Sequence, residues 1–252
     1  MLFFIKLFSK FLILIGIKKN SKLYNFFKYI YIFLKKTLNN FFNSIIKLRY
    51  FYSTYVIVKK YKNYNQYLKH QLEKTNDVFL RASWEKKENH KKRTDAFINF
   101  FKKNELIIKN SNKALAIGAR MGNEVKAIEY YGTKCIGLDI VPYKNLVIKG
   151  DMHNLPFEDK TFDFIFTNIL DHSIHPKKFF SEVKRVLKND GFFLVHMLID
   201  LDDDTYSVTN ITNIGQMKRL AKDFSIINII DTDKDSLSFF KFNKEFLFKK
   251  LN

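Results

Sequence analysis

Two glycines and two aspartates follow successive short apolar runs in the second half of the chain. Gly118 and Gly122 flank a turn after the run Ala114–Ile117, and Asp139 and Asp151 stand at the ends of the next two runs. Glycine lets the backbone turn tightly and approach a ligand closely. Asp139 is placed to accept the hydroxyl groups of a ribose, and Asp151 to accept an adenine amino group. Because carboxylates attract positive charge, the pair favours a cationic nucleoside-like ligand over an anionic one.

The turn Gly118-Ala-Arg-Met-Gly122 does not match the G-x-G-x-x-G sequence of dinucleotide-binding folds. No Walker-type loop with its Gly-Lys-Ser/Thr ending is present either, so a polyphosphate is a poor ligand. S-adenosyl-L-methionine, an adenosine that carries a sulfonium, fits the charge pattern, and NAD fits it less well. The sequence therefore predicts S-adenosyl-L-methionine as the cofactor.

Candidate proton acceptors follow the fourth apolar run. Asp171, His172 and His175 lie in the segment that begins at Asn168, on the side of the sheet where the methyl group of the cofactor is expected. A neutral histidine can take a proton near physiological pH, which an alcohol or phenol acceptor requires. Alternatively, Asp171 and His172 shape the loop or pair with each other. No Cys/His cluster indicates a metal site.

These residues need a parallel sheet to bring them together. A helix beginning at Pro176 and ended by Gly191 separates the last two parallel strands. The alternation of strands and helices predicts a doubly wound α/β sheet with its site at the carboxyl ends of the strands. A helix at Gln216–Lys222 and a hairpin of Ile226–Ile230 with Leu237–Phe242 complete a seven-stranded sheet. The five predicted parallel strands are Ala114–Ile117, Lys134–Leu138, Leu146–Lys149, Phe162–Thr167 and Phe192–Met197.

Four segments between residues 112 and 200 carry a family resemblance. AIGARMGNEV, CIGLDI, GDMHNLPFEDKTFDFIFTNILDH and EVKRVLKNDGFFLVHM resemble, in order and spacing, the motifs of class I S-adenosylmethionine-dependent methyltransferases of the methyltransferase type 11 family. The resemblance implies a Rossmann-like methyltransferase sheet. It also implies that the turn from Gly118 to Gly122 wraps the methionine part of the cofactor and that Asp139 holds the ribose. Asp151 and Met152 would flank the adenine, and the segment Thr167-Asn168-Ile169 would pass under the sulfonium.

Two residues depart from the family pattern. The acid that commonly stands two residues before the first glycine is Ala116, and the middle glycine is Arg120. Arg120 either pairs with the carboxylate of the cofactor or lies on the surface. The missing acid leaves open a degenerate copy that binds the cofactor as a non-catalytic scaffold.

The first third of the chain has an unusual charge. Residues 1–72 contain 14 Lys and Arg and no Asp or Glu, whereas the remaining 180 residues contain 30 basic and 25 acidic residues. The 252-residue chain has one cysteine, Cys135, which excludes a disulfide framework and is compatible with a reducing compartment. Cys135 lies in an apolar strand pattern that predicts a packed core thiol. The charge asymmetry requires a separate physical explanation.

One apolar stripe runs along this basic segment at helical spacing. It predicts a helix of about seven turns, with lysines and asparagines largely on its other faces. The helix either packs on the catalytic domain or lies in a membrane interface with its lysines on anionic lipid. RNA binding would suit aromatic residues interleaved with lysines, but not a continuous stripe. The stripe consists of Leu23, Phe27, Ile30, Leu34, Leu38, Phe41, Ile45 and Leu48.

The chain therefore divides into three predicted parts: a basic amphipathic arm at 1–72, a helical lead-in at 73–111 and a methyltransferase domain at 112–252. Residues 1–50 are expected to contact an anionic membrane surface. We expect a cytoplasmic enzyme, peripheral at a membrane, that methylates a small-molecule or lipid-linked acceptor. An RNA methyltransferase that uses the basic arm and a non-catalytic cofactor-binding scaffold are the alternatives.

Overall fold

A computed structural model describes residues 21–53, 55–199, 205–232 and 242–251. The chain forms two compact units, Met1–Phe51 and Tyr52–Asn252. The part of the predicted basic arm that precedes Ser21 lies outside the described residues.

The first unit contributes one long helix, α1 (Lys22–Tyr52). The helix begins where Ser21 Oγ accepts the backbone N–H of Tyr24 at 3.1 Å, a typical way to satisfy a free donor at a helix start. Of the eight predicted stripe residues, Ile30 is half-buried and the other seven are exposed. The predicted helix is therefore confirmed, and most residues of its apolar stripe are exposed. No helix in the described residues is long and apolar enough to cross a membrane.

The second unit has three longer helices and a short one between residues 64 and 109, and strands and helices alternate from residue 113 onward. The helices are α2 (Tyr64–Asn76), α3 (Val78–Glu85), α4 (Lys87–Phe101), α5 (Glu105–Lys109), α6 (Asn123–Tyr130), α7 (Pro176–Val186) and α8 (Ile214–Leu220). The strands are β1 (Val56–Ile57), β2 (Lys113–Ile117), β3 (Lys134–Asp139), β4 (Val147–Lys149), β5 (Phe162–Thr167), β6 (Leu187–Met197), β7 (Thr209–Asn210), β8 (Phe224–Asp231) and β9 (Lys244–Lys250).

In the described part of the chain, seven strands form the main sheet in the order β4-β3-β2-β5-β6-β9-β8. The pairs β4–β3, β3–β2, β2–β5 and β5–β6 are parallel, and β9 is antiparallel to both β6 and β8. The predicted doubly wound seven-stranded fold is confirmed. The strand order reverses between β2 and β5, and ligands bind in open α/β sheets at such a reversal, beyond the carboxyl ends of the strands.

Alternate residues of the central strands face the two layers of the core. On β2, Leu115 and Ile117 belong to the cluster that includes residues of α7 and α8. Ala114 and Ala116 belong to the opposite cluster, which includes residues of α4, α5 and α6. Both faces of β2 are therefore covered, as expected for a central parallel strand. Burial on both faces holds β2 in place, and the turn that begins at Gly118 follows directly after its last residue, Ile117.

Some predicted boundaries were wrong. Gly191 does not end a helix: α7 ends at Val186, and Gly191 lies inside β6, where a Cβ would come within 2.8 Å of Leu187 Cγ. Within the predicted helical lead-in, Lys86 separates α3 from α4, so Trp84 belongs to α3. Cys135 is half-buried and packs against the core cluster that includes residues of α4, α5 and α6, in agreement with the predicted core thiol.

The last strand was also misplaced. The predicted strand Leu237–Phe242 lies outside the described residues up to position 241, and Phe242 is not in a strand. The strand that pairs with β8 is β9, formed by Lys244–Lys250. Its central residues Phe246 and Phe248 are fully buried, so the buried apolar residues that define the final strand lie after the predicted segment.

Candidate active site

A cavity opens at the carboxyl ends of the parallel strands, the place where ligands bind in open α/β sheets. Ends of four strands contribute to one side, and α2 contributes the other. The lining residues are Tyr67, Gln71, Lys74, Thr75, Ile117, Gly118, Arg120, Leu138, Asp139, Ile140, Gly150, Met152, Ile169 and His172. The predicted residues Gly118, Arg120, Asp139, Met152 and His172 therefore share one cavity.

The glycine turn is forced into shape by close packing on the loop after β5. Gly118 has φ +81°, and a Cβ there would lie 2.5 Å from Cδ1 of Ile169. Its N–H donates to the carbonyl of Leu138 at 2.7 Å, which ties the turn to β3. Gly122 is also left-handed and caps α6, but it packs against Leu146 and does not line the cavity. A side chain at Gly118 would meet both a strained backbone and an occupied space.

Asp139 joins the turn to the end of β3. Its Oδ2 accepts the backbone N–H of Arg120 at 3.1 Å, and its Oδ1 accepts that of Val141 at 3.2 Å. Burial raises the pKa of Asp139, and the hydrogen bonds together with the charge of Arg120 oppose this rise. Each carboxylate oxygen has a second lone pair. Asp139 can therefore accept hydroxyl groups from a ligand while it holds the turn.

Arg120 lies inside the site and not on an open surface. Its guanidinium carbon is 4.1 Å from the centroid of the Trp84 ring. Through this cation–π contact, Trp84 of α3 packs on a residue of the cavity wall without lining the cavity itself. Burial lowers the pKa of Arg120, while the nearby Asp139 and Glu124 act in the opposite direction. Two carboxylates thus compensate a cation at the position where a glycine was expected.

Glu124 in the first turn of α6 is a buried carboxylate that sequence reasoning did not single out. Its side chain accepts from Asn168 Nδ2 at 3.4 Å. Burial raises the pKa of Glu124 to about 7, although Arg93 and Arg120 lower it. Asn168, predicted to pass under the sulfonium, therefore points its amide at Glu124 and does not line the cavity. In this loop Ile169 takes the position against Gly118.

Asp151 is engaged by protein groups behind the cavity wall formed by Met152. It accepts the hydroxyl of Tyr64 at 2.5 Å and the backbone N–H of His153 at 2.8 Å. Burial would raise the pKa of Asp151, but the hydrogen bonds from His153 and Tyr64 outweigh it and hold the pKa at about 2. His153 Nε2 lies 2.7 Å from Ser173 Oγ, and both residues are buried. Asp151 thus anchors a structural network, while Met152 lines the cavity.

His172 lines the cavity and is held by α2. Its Nδ1 lies 3.1 Å from Oε1 of Gln71 and 3.1 Å from the carbonyl oxygen of Tyr206. Its Nε2 is 3.8 Å from Oδ2 of Asp171, too far for a hydrogen bond but within ion-pair range. Asp171 itself accepts the hydroxyl of Ser207 at 2.5 Å. The two predicted catalytic residues are adjacent, but only His172 lines the cavity.

Burial also sets the protonation of His172. It lowers the pKa of the imidazole and outweighs the opposing charge of Asp171, with Lys74 and Arg120 adding to the lowering. The ring is therefore neutral at pH 7. His175, the third candidate, is exposed and stacks on Tyr64 with ring centroids 6.1 Å apart. It does not line the cavity.

The contribution of α2 to the site was missed. This helix supplies Tyr67, Gln71, Lys74 and Thr75 to the cavity wall. Tyr67 donates its hydroxyl to the carbonyl of His172 at 3.0 Å, and burial raises the pKa of that tyrosine. The tyrosines at 61, 64 and 67 could have indicated this contribution, since they recur at every third position of the sequence. Among the described residues, no group of His, Cys, Asp and Glu could hold a metal ion.

The fold and the site together define a doubly wound domain with a cavity at its topological switch point. Residues 115–195, about a third of the chain, match the family described as "Methyltransferase domain". This part of the chain is similar to the class I S-adenosylmethionine-dependent methyltransferases, whose cofactor is S-adenosyl-L-methionine.

Two curated relatives and one solved structure illustrate the match. The chain is 28% identical over 121 residues to the sterol 24-C-methyltransferase of Schizosaccharomyces pombe, covering 40% of this chain and 32% of that protein. It is 30% identical over 106 residues to the sterol 4-C-methyltransferase of Caenorhabditis elegans, covering 35% and 32%. The chain thus spans about a third of the length of these relatives.

The solved structure is a Burkholderia thailandensis 1,6-didemethyltoxoflavin-N1-methyltransferase with bound 1,6-didemethyltoxoflavin and S-adenosylhomocysteine. It superposes with a TM-score of 0.57 at 12% identity, covering 79% of this chain and 95% of that one. At this identity the likeness concerns the fold.

The cavity residues fit the cofactor. Gly118 and Gly150 line the cavity, and a Cβ at either position would come within 2.5 Å of Ile169 or Leu138, so neither position accepts a side chain without a shift. Asp139 offers acceptor oxygens for a ribose. Apolar Ile140 and Met152 offer flat contact for a purine.

Proposed function

We propose that this protein is an S-adenosylmethionine-dependent methyltransferase that acts on a small-molecule or lipid-linked acceptor. The observation that carries the proposal is the shared cavity. One side consists of the strand-end residues Gly118, Asp139 and Met152, and the other consists of His172 and α2. A cofactor side that adjoins a second side with room for an acceptor can hold the two reactants close together and in line, which a methyl transfer requires.

On this proposal, each of these cavity residues contacts a different part of the cofactor. Asp139 accepts the ribose hydroxyls, the turn from Gly118 to Gly122 surrounds the methionine part, Arg120 pairs with the methionine carboxylate and Met152 packs on the adenine. The side chains of Asp151 and Asn168 lie behind the cavity wall. Asp151 accepts hydrogen bonds from Tyr64 and His153, and Asn168 donates one to Glu124. When bound, the cofactor supplies a methyl group already activated by its sulfonium.

His172 is the proposed proton acceptor, and Asp171 is its electrostatic partner. The low pKa of His172 keeps the imidazole neutral, so it is ready to accept a proton. Once protonated, the ring would face the carboxylate of Asp171 at 3.8 Å. A nearby opposite charge stabilises the charged form.

A hydrophobic or lipid-linked acceptor is supported by the two relatives, whose names describe them as sterol methyltransferases. The exposed apolar stripe of α1 also supports such an acceptor. Phe41 and Leu48 of this stripe, for example, are 59% and 58% exposed. Lys22, Lys28 and Lys36 lie on the same helix, and residues 1–72 contain no acid. An anionic membrane surface complements both the apolar stripe and the positive charge.

Labelled cofactor tests the activity. The protein is incubated with S-adenosylmethionine labelled in its methyl group and with total cell lysate, and the label is then separated into lipid, RNA, protein and small-molecule fractions. Label in the lipid or small-molecule fraction is the expected result. Label in RNA would favour an RNA methyltransferase. Cofactor binding without any transfer of label would instead indicate a non-catalytic scaffold.

Cosedimentation with vesicles tests the membrane contact. Full-length protein is expected to bind anionic vesicles, and the binding should weaken with salt without vanishing, since the buried apolar term does not depend on salt. Replacing Phe27, Leu34 and Phe41 with Ser should release it even at low salt. The matched control replaces three exposed asparagines of α1 with Ser, namely Asn25, Asn39 and Asn43, and should bind normally.

The same proteins are compared by thermal melting and RNA binding. No vesicle binding at low salt would end the membrane proposal. A lower melting temperature of the Phe27, Leu34 and Phe41 variant, together with indifference to vesicles, would instead indicate that the stripe packs on protein. Strong salt-sensitive binding to RNA that does not depend on the stripe would indicate a nucleic-acid partner, since release of counterions makes such binding steeply salt-dependent.

A further inference from the structure

The surroundings of His172 determine which ring nitrogen carries the proton. The Tyr206 carbonyl oxygen, 3.1 Å from Nδ1, can only accept a hydrogen bond. Gln71 presents its Oε1 to the same nitrogen at 3.1 Å. The amide of Gln71 has this orientation because its Nε2–H donates to the Tyr206 carbonyl at 3.0 Å. Two acceptors therefore face Nδ1, so the hydrogen of the neutral ring is on Nδ1.

The other nitrogen, Nε2, is then left with a lone pair. The nearest charged group is Asp171, whose Oδ2 is 3.8 Å away and already accepts the hydroxyl of Ser207. The charged groups around the ring act in opposite directions: Asp171 raises its pKa, and Lys74 of α2 and Arg120 of the glycine turn lower it. Nε2 is consequently the nitrogen that can take a proton, and Asp171 is placed to stabilise the imidazolium that results.

We propose that Gln71 is a positioning residue that fixes His172 in the Nδ1–H tautomer, and that the methyl acceptor is a hydroxyl group. The proposal rests on the proposed methyltransferase function. In the balanced step, the acceptor oxygen bonds to the methyl carbon, and the sulfur–methyl bond breaks with its electron pair on sulfur. The hydroxyl proton passes to Nε2 of His172, and S-adenosylhomocysteine remains.

The chemistry of the alternatives favours a hydroxyl. A carboxylate acceptor is already an anion at neutral pH, so it needs no base. An amine attacks through its own lone pair, and an alkene carbon through its π electrons, and each loses its proton only afterwards. An alcohol or phenol must give up its proton as the new bond forms, and a positioned base accelerates that step. A histidine held neutral, with one nitrogen committed to two acceptors, is organised for this last case.

The position of the proton can be measured without cofactor or acceptor. In full-length protein labelled with ¹⁵N-histidine, the two ring nitrogens of His172 give separate signals whose shifts distinguish protonated from unprotonated nitrogen. We expect a protonated Nδ1 and an unprotonated Nε2. We also expect Gln71→Glu to raise the pKa of His172 by about one unit or more, because a carboxylate would then face Nδ1.

The matched control is Gln66→Glu, an exposed glutamine on the same helix whose side chain accepts the N–H of Lys62. It should leave the pKa of His172 nearly unchanged. A wild-type ring with its proton on Nε2 would overturn the assignment. Equal pKa shifts in the two variants would also overturn it, since position 71 would then act only through long-range charge. A Gln71→Met variant that folds but shows a mixture of tautomers would support it.

The class of acceptor is tested on the labelled product. A methyl ether survives mild alkali and releases methyl iodide in hot hydriodic acid. A methyl ester loses its label in alkali, and a methyl group on carbon resists both treatments. The ether pattern is expected, with the label strongly reduced in His172→Ala. An ester or carbon pattern would overturn the hydroxyl assignment, whereas no label at all would contradict the proposed function and leave the tautomer measurement standing.

Discussion

Adding one methyl group at Gly118 tests whether the glycine turn is built as described. Gly118→Ala forces an alanine to φ +81° and places its Cβ within 2.5, 2.6 and 2.8 Å of three side-chain carbons of Ile169. A left-handed conformation costs a non-glycine residue about 1–2 kcal/mol. Overpacking of this kind costs about 1–3 kcal/mol more. Together, the free energy of unfolding should fall by about 2–5 kcal/mol, a large share of the stability of a typical domain.

The chain contains a matched control that separates the two costs. Gly132 also has a positive φ, +94°, but a Cβ there would meet nothing within 4 Å. Gly132→Ala should therefore show the backbone cost alone, about 1–2 kcal/mol. Ile169→Ala removes all three carbons that the new Cβ would touch. Combined with Gly118→Ala, it should recover about 1–3 kcal/mol relative to the sum of the single changes.

Urea unfolding at 25 °C gives the free energy of unfolding of the wild type and of the four variants. Calorimetric titration with S-adenosylmethionine gives the cofactor affinity of each. Gly118→Ala should also weaken cofactor binding, since a shifted turn moves both the backbone and the Arg120 N–H that Asp139 accepts. Gly132→Ala should bind normally. Equal destabilisation by the two glycine variants, or additive effects of Gly118→Ala and Ile169→Ala, would refute the close packing of the turn on the β5 loop.

Three further predictions concern single side chains of the site. Asp139→Ala should weaken S-adenosylmethionine binding by about 1.5–3 kcal/mol, as expected for hydrogen bonds to a charged group; unchanged affinity of the folded variant in calorimetry would remove Asp139 from the site. His172→Ala should lower turnover by about 10²–10⁴ with little change in cofactor affinity; full turnover would restrict His172 to a structural role. In the wild type, turnover should persist at pH 6.5 and fall only as the pH drops through the lowered pKa of His172. Glu124 binds a proton more tightly in the folded state, with a pKa of about 7 against 4.5. The folded state therefore carries more protons between pH 4.5 and 7, and stability should fall by about 3 kcal/mol as the pH rises across this window. Glu124→Gln should remove that slope in urea unfolding measured at several pH values, and an unchanged slope would contradict the burial of this carboxylate.

The fold could be predicted from sequence where burial leaves a local pattern. Runs such as Phe162–Thr167 are covered on both faces, so they read as continuous apolar segments. The prediction failed where the pattern had other causes. Gly191 resembles a helix stop, but it is a strand residue packed against Leu187. Lys86 interrupts the lead-in helix without a Gly or Pro signal, with ψ 126° where a helix would need a negative value.

The two sides of the candidate site also differed in how well they could be predicted from the sequence. Gly118, Asp139 and Met152 lie on the ends of neighbouring strands, so one alternating pattern and one set of motifs identified them together. The contacts that hold the second half are long-range. Gln71 and Tyr206 are 135 positions apart in the chain, and Tyr67 and His172 are 105 apart. Neither contact changes the spacing of apolar residues around its two members, so the local sequence pattern does not indicate it.

This difference also indicates where acceptor specificity is encoded. The match to the methyltransferase family spans residues 115–195 and includes the cofactor side of the cavity together with His172. Both groups that face His172 Nδ1, the Gln71 amide and the Tyr206 carbonyl, come from outside that span. If the acceptor is held between α2 and His172, then changes at Gln71 or Lys74 should alter which acceptor is methylated while cofactor affinity stays the same. Changes at Asp139 should do the reverse, because that residue touches the side of the cavity assigned to the ribose.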